Sequence, residues 1–154
     1  MTDPAHDLVL ERVLDAPREK LWRCWTEADL LKQWFCPQPW YVSEARLDPR
    51  PGGPCVTVMN GPDGECVETT GVYLEVVPGE RVVTTDAFTA GWRPSRRPFM
   101  VADVRFADAG EDRTHYSARA MHWTAEAKAE HEAMGFHEGW GKAADQLEAL
   151  AKTL

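Results

Sequence analysis

Phe136-His137-Glu138-Gly139-Trp140-Gly141-Lys142-Ala143-Ala144-Asp145-Gln146-Leu147-Glu148-Ala149-Leu150-Ala151-Lys152-Thr153-Leu154 decides the fold. Phe136, Trp140, Ala143, Leu147, Leu150 and Leu154 step by 4, 3, 4, 3 and 4. That spacing lines one face of an α-helix. With Thr124 as a capping candidate followed by Ala125-Glu126-Ala127-Lys128, the seam predicts a long C-terminal helix whose apolar face needs a partner surface. The partner is found in the preceding residues. Segments 40–47, 55–59, 65–77, 81–88, 99–107 and 113–123 read as strands, with a bulge expected at Gly71. Short turns join them, such as Asn60-Gly61-Pro62-Asp63-Gly64, Pro78-Gly79-Glu80 and Asp108-Ala109-Gly110-Glu111-Asp112. Strands joined this way form an antiparallel meander. The sheet must bury one face, and the long helix is the only element able to cover it.

Further out, residues 8–14 read as a first strand, closed by Asp15-Ala16-Pro17. Pro17 also suits a helix start, because it lacks an N–H that would go unused there. The first helix covers 17–25, with Leu21, Trp22 and Trp25 on one stripe. Thr26-Glu27-Ala28-Asp29 resembles a capping box, so a second short helix follows and ends near Trp34-Phe35. Cys36-Pro37-Gln38-Pro39 cannot continue it. The order strand, two helices, antiparallel strands, long helix is an α+β plan.

The 154 residues include 44% hydrophobic and 27% charged, with a net charge of -8. A chain of about 150 residues buries roughly 68–70% of its unfolded surface, enough for one domain over 1–154 with a core and a cavity. The acidic balance argues against nucleic acid as a partner and against anionic membranes. No stretch approaches the roughly 20 apolar residues of a membrane span. Residues 1–7 have no basic n-region, so no secretory signal is read and a cytoplasmic location is expected. Cys24, Cys36, Cys55 and Cys66 contain no C-x-x-C pair and are expected as reduced thiols.

Several segments together resemble a known family. They are Arg12-Val13-Leu14-Asp15-Ala16-Pro17-Arg18-Glu19-Lys20-Leu21-Trp22 with Trp25-Thr26, Leu31-Lys32-Gln33-Trp34-Phe35, Arg50-Pro51-Gly52-Gly53, residues 71–81, and Phe136-His137-Glu138-Gly139-Trp140-Gly141. In this order they are similar to START-like (SRPBCC) proteins, and more closely to the group named for the activator of heat shock protein 90 ATPase. The resemblance covers nearly the whole chain. It implies a helix-grip fold, in which a curved antiparallel sheet wraps the C-terminal helix and encloses a cavity. The superfamily includes lipid carriers, polyketide cyclases, hydroxylase subunits and co-chaperone domains, so fold alone does not assign a reaction. The eukaryotic co-chaperone has a separate N-terminal chaperone-binding domain. This chain starts directly at the first strand, so chaperone activation is not the expected role.

Alternation places Val82, Thr84, Asp86 and Phe88 on one face of their strand. The corresponding sets are Met100, Ala102, Val104 and Phe106, then Tyr116, Ala118, Ala120 and His122. If these face inward, Asp86 and His122 share the cavity. A carboxylate beside a His is an acid/base pair, or a buried polar pair satisfying itself. Glu75 and His137 are the other acid/base candidates. His131 and His137 project about 120° apart on a helix and cannot share one metal, so no metal site and no cofactor is expected. Gly135 and Gly139 are four apart, for close packing or for cleared space. Trp22, Trp25 and Trp140 fall on helix stripes and read as core, whereas Trp34, Trp40, Trp92 and Trp123 stand at element ends and in loops. The cavity lining is expected from Trp34, Trp40, Tyr73, Phe88, Trp92, Met100, His122 and Met134. The Arg93-Pro94-Ser95-Arg96-Arg97 loop is either a solvated loop or a lid that attracts an anionic ligand.

The expected function is binding of one small hydrophobic or aromatic molecule between sheet and helix. A cyclase- or hydrolase-type enzyme using a cavity Asp or Glu with His is the alternative, and a co-chaperone-like interaction domain is the third reading. The first strand or the Pro-rich loop offers an edge for a homodimer.

Overall fold

β-Branched and aliphatic residues dominate the strands, and their pairing builds one seven-stranded antiparallel sheet. In spatial order it runs β1 (Asp7–Leu14), β9 (Thr114–Met121), β8 (Val101–Asp108), β5 (Arg81–Thr85), β4 (Cys66–Val77), β3 (Pro54–Asn60) and β2 (Tyr41–Leu47). The computed structural model describes residues 4–154. Between β1 and β2 lie α1 (Arg18–Thr26) and α2 (Ala28–Leu31). After β9 come α3 (Ala125–Ala133) and α4 (Phe136–Ala151). The architecture is the α+β, helix-grip arrangement expected, with α4 packed on the concave sheet face. No helix among the described residues is long and apolar enough to cross a membrane.

Register fixes which side chains turn inward, because directly paired residues share a face. Leu10 pairs with Ala118, Ala118 with Val104, and Val104 with Val82. Thr84 stands opposite both Ala102 and Tyr73. These inward residues meet the α4 seam, where Phe136, Ala143 and Leu147 are buried and Trp140, Leu150 and Leu154 pack against the same core. Leu21 and Cys24 of α1 are fully buried there too. Glu148 reaches across to accept the Asp15 backbone N–H at 2.7 Å, tying the end of β1 to α4.

Four sequence expectations need correction. The C-terminal helix is two helices, because Gly135 adopts φ of 90° and breaks the path between α3 and α4. Gly135 and Gly139 therefore do not share a helix face. The strand expected over 81–88 ends at Thr85, and Phe88–Thr89 (β6) instead pairs with Arg93–Pro94 (β7) in a separate small hairpin. The bulge in β4 lies between Tyr73 and Glu75, not at Gly71. Gly71 answers a different need, since a Cβ there would run into the Thr85 carbonyl oxygen. Thr26 does not cap α2. Its hydroxyl donates back to the Trp22 carbonyl at 2.8 Å, while Glu27 begins α2 without a side-chain cap. Thr124 does cap α3, accepting the Ala127 N–H at 3.0 Å.

Candidate ligand cavity

Sheet and α4 do not meet everywhere. Where they part, a cavity of about 490 Å³ remains. Its sheet side carries Cys55, Thr57, Met59, Thr69, Tyr73, Thr84, Ala102 and Tyr116. Its helix side carries Trp25, Trp34, Phe35, Phe136, Gly139, Trp140 and Ala143. Phe99, Met100, Asp86, His131 and Met134 complete it near the junction of α3 and α4. Gly139 keeps the helix wall low, since a Cβ there would meet only Pro37 at 4.0 Å.

The aromatic residues come in two groups. Trp25, Trp34 and Phe35 stand edge to face, with centroids 5.1 to 5.8 Å apart. The Trp34 indole N–H donates to the Cys24 carbonyl at 2.9 Å, which fixes that ring at the end of α1. Phe136 and Trp140, one turn apart on α4, stack at 4.5 Å, and both contact the His131 ring.

The polar groups are few and mostly satisfied. Asp86 accepts the backbone N–H groups of Phe99 (2.8 and 3.0 Å) and Met100 (3.1 Å), so its carboxylate fastens the chain entering β8. Burial pushes the Tyr73 hydroxyl up from its ordinary range, and the Cys55 thiol beside it up to about 11. Burial raises Tyr116 as well. The Trp25 indole nitrogen is buried beside the Tyr116 hydroxyl.

A hydrogen bond links the rings of His122 and His131. His122 Nδ1 is 2.7 Å from the His6 carbonyl oxygen, and His122 Nε2 is 2.9 Å from His131 Nδ1. A carbonyl only accepts, so His122 Nδ1 carries the proton. In the neutral pair His122 Nε2 then accepts from His131 Nδ1–H. His131 Nε2 is left as a bare acceptor. Burial, and secondarily the neighbouring His122, lower His131 from 6.5 to about 4, so it is neutral at pH 7. No cluster of three or more His, Cys, Asp or Glu among the described residues is arranged to hold a metal ion.

A family model described as Activator of Hsp90 ATPase homolog 1-like protein matches residues 15–152. The chain belongs to this family. Its fold is that of a START/SRPBCC domain. Solved structures agree. A protein from Nitrosomonas europaea is 42% identical, with a TM-score of 0.94 over 98% of this chain and 97% of its own. A protein from Chromobacterium violaceum is 26% identical, with a TM-score of 0.75 over 94% and 96%. An AHSA1-like protein from Aeromonas hydrophila is 19% identical with a TM-score of 0.71 over 96% and 92%, a likeness of fold. No curated protein matches the chain.

Against this AHSA1-like framework the sequence candidates divide. Trp34, Tyr73, Met100 and Met134 are on the cavity wall, as is Asp86. Trp40 lines a separate, more open depression with Lys32, Pro39 and Lys142. Phe88 and Trp92 pack on each other at 5.8 Å beside the small hairpin, and Trp92 is 49% exposed. The Arg93 to Arg97 loop lies apart from the wall. His122 is fully buried behind His131, with both ring nitrogens engaged. Asp86 and His122 therefore do not form a pair with each other. His137 is 3.6 Å from Glu132 on the surface, and Glu75 pairs with Arg81 at 3.1 Å, both away from the cavity.

Trp25, Trp140, Phe99 and His131 line the cavity without having been singled out for it. The helix-stripe reading placed Trp25 and Trp140 in the core, because periodicity identifies the inward face but not whether that face meets packing or space. Helical spacing tests His131 only as a metal ligand. The residues between β9 and α3 turn the chain so that residue 131 meets residue 122, and the break at Gly135 then brings Phe136 and Trp140 against the same ring.

Proposed function

We propose that this AHSA1-like protein binds one small hydrophobic or aromatic molecule in the cavity between the sheet and α4. The observation that supports the reading is the cavity itself. Its roughly 490 Å³ is in the range of small-molecule sites, and its wall is mainly aromatic and aliphatic with a few placed polar groups. No Lys or Arg lines it, so an anionic headgroup has no counter-charge inside. Native mass spectrometry of the purified protein with a panel of lipids and aromatic metabolites tests this reading. It predicts one bound molecule per chain for aromatic members of the panel. Absence of any stoichiometric adduct contradicts it. The enzyme alternative has weaker support, since Asp86 is engaged by backbone N–H groups and Glu75 and His137 stand outside the cavity.

A further inference from the structure

We propose that His131 Nε2 is the recognition atom of the cavity, accepting a hydrogen bond from the hydroxyl of a phenol-type aromatic ligand. The inference rests on the cavity-binding reading and adds the chemical class of what is bound. Its basis is the proton accounting of three groups. The His6 carbonyl orients the His122 proton, and His122 Nε2 in turn takes the His131 Nδ1 proton. Each His is thereby held as the Nδ1–H tautomer, and the last lone pair of the chain is at His131 Nε2. His131 is 7% exposed and lines the cavity, and no hydrogen bond from the described residues reaches that nitrogen.

An accessible acceptor with no protein donor, on a side chain that lines an apolar cavity, favours a ligand that can donate to it over one that cannot. The surroundings narrow the donor. Phe99, Phe136 and Trp140 ring His131 with centroids 4.9 to 5.8 Å away, so the donor arrives on a flat, apolar body. A cationic N–H donor would need a free carboxylate, and the one acid on the wall, Asp86, already accepts Phe99 and Met100 N–H groups. The low basicity of His131 keeps the lone pair available at neutral pH. A neutral aromatic hydroxyl satisfies all of these conditions.

The test is a fluorescence titration of wild type and His131→Phe with 2-naphthol and 2-methylnaphthalene at pH 7.5. The two probes differ in the hydroxyl. We expect wild type to prefer 2-naphthol by roughly two- to tenfold more than the variant does, the range of one neutral hydrogen bond. Equal preference in the two proteins overturns the inference while leaving cavity binding intact. Failure of both probes to bind wild type overturns the inference and counts against the cavity reading as well. Should His131→Phe not fold, ¹⁵N spectra of the wild-type histidines decide. Saturating 2-naphthol must shift His131 Nε2 with Nδ1–H tautomers at both rings. An unmoved Nε2 with probe bound, or an Nε2–H tautomer at His131, overturns the inference.

Discussion

His131 and His122 share a hydrogen bond of 2.9 Å where α3 folds back on the end of β9. The bond needs His131 to be neutral or to share a single proton with its partner. Burial and His122 lower His131 from 6.5 to about 4. Between those values the unfolded chain binds a proton there that the folded chain does not. The stabilisation is therefore complete above about pH 6.5 and is lost as pH falls towards 4. The slope limit is about 1.4 kcal/mol per pH unit. Urea unfolding of wild type and His131→Gln at pH 7 and pH 5 checks this, since a Gln amide can still donate to His122 but does not titrate. Wild type is expected to lose about 2 kcal/mol more than the variant over that interval. A pH-independent difference contradicts the prediction. His122, the ionisable group bonded to His131, is common to both proteins.

Asp86 acts on the backbone. Its carboxylate accepts from Phe99 and Met100 and anchors the chain entering β8. Asp86→Ala is expected to cost about 1.5–2 kcal/mol in denaturant unfolding, the lower part of the range for bonds to a charged group because the site is half-buried. Asp86→Asn keeps an acceptor oxygen and should cost less. Unchanged stability in Asp86→Ala would show that the clamp carries no energy.

The two glycines near the cavity should respond with opposite signs. Gly139 lies within α4 with open space around it, so Gly139→Ala should raise stability by about 0.5–1 kcal/mol. Gly135 has φ of 90° at the α3–α4 break, so Gly135→Ala should cost about 1–2 kcal/mol despite equally open space. Equal responses of the two variants in chemical denaturation would refute this assignment.

The architecture was legible because it rests on repeating signals. The α4 seam and the strand sets Met100 to Phe106 and Tyr116 to His122 point inward as periodicity requires. Positions where a segment stops were less legible. The strand expected to carry Phe88 inward ends at Thr85, and Phe88 turns to Trp92 instead. The cavity lining was legible at Trp34, Tyr73, Met100 and Met134. It was illegible at Trp25 and Trp140, where a helical stripe looks the same over a void as over a packed neighbour. The His122–His131 pair depends on the chain reversal between β9 and α3, and no local spacing announces which residues such a reversal brings together.

The central claim is that the space between sheet and α4 holds a ligand. The most direct test is titration of wild type and Gly139→Leu with the fluorescent apolar probe N-phenyl-1-naphthylamine. Gly139 lines the cavity and a Cβ there meets only Pro37 at 4.0 Å, so a larger side chain starts from open space at the cavity wall. The account predicts saturable one-to-one binding by wild type and its loss in a Gly139→Leu protein that remains folded. Equal binding by the two proteins, or none by wild type, would contradict it.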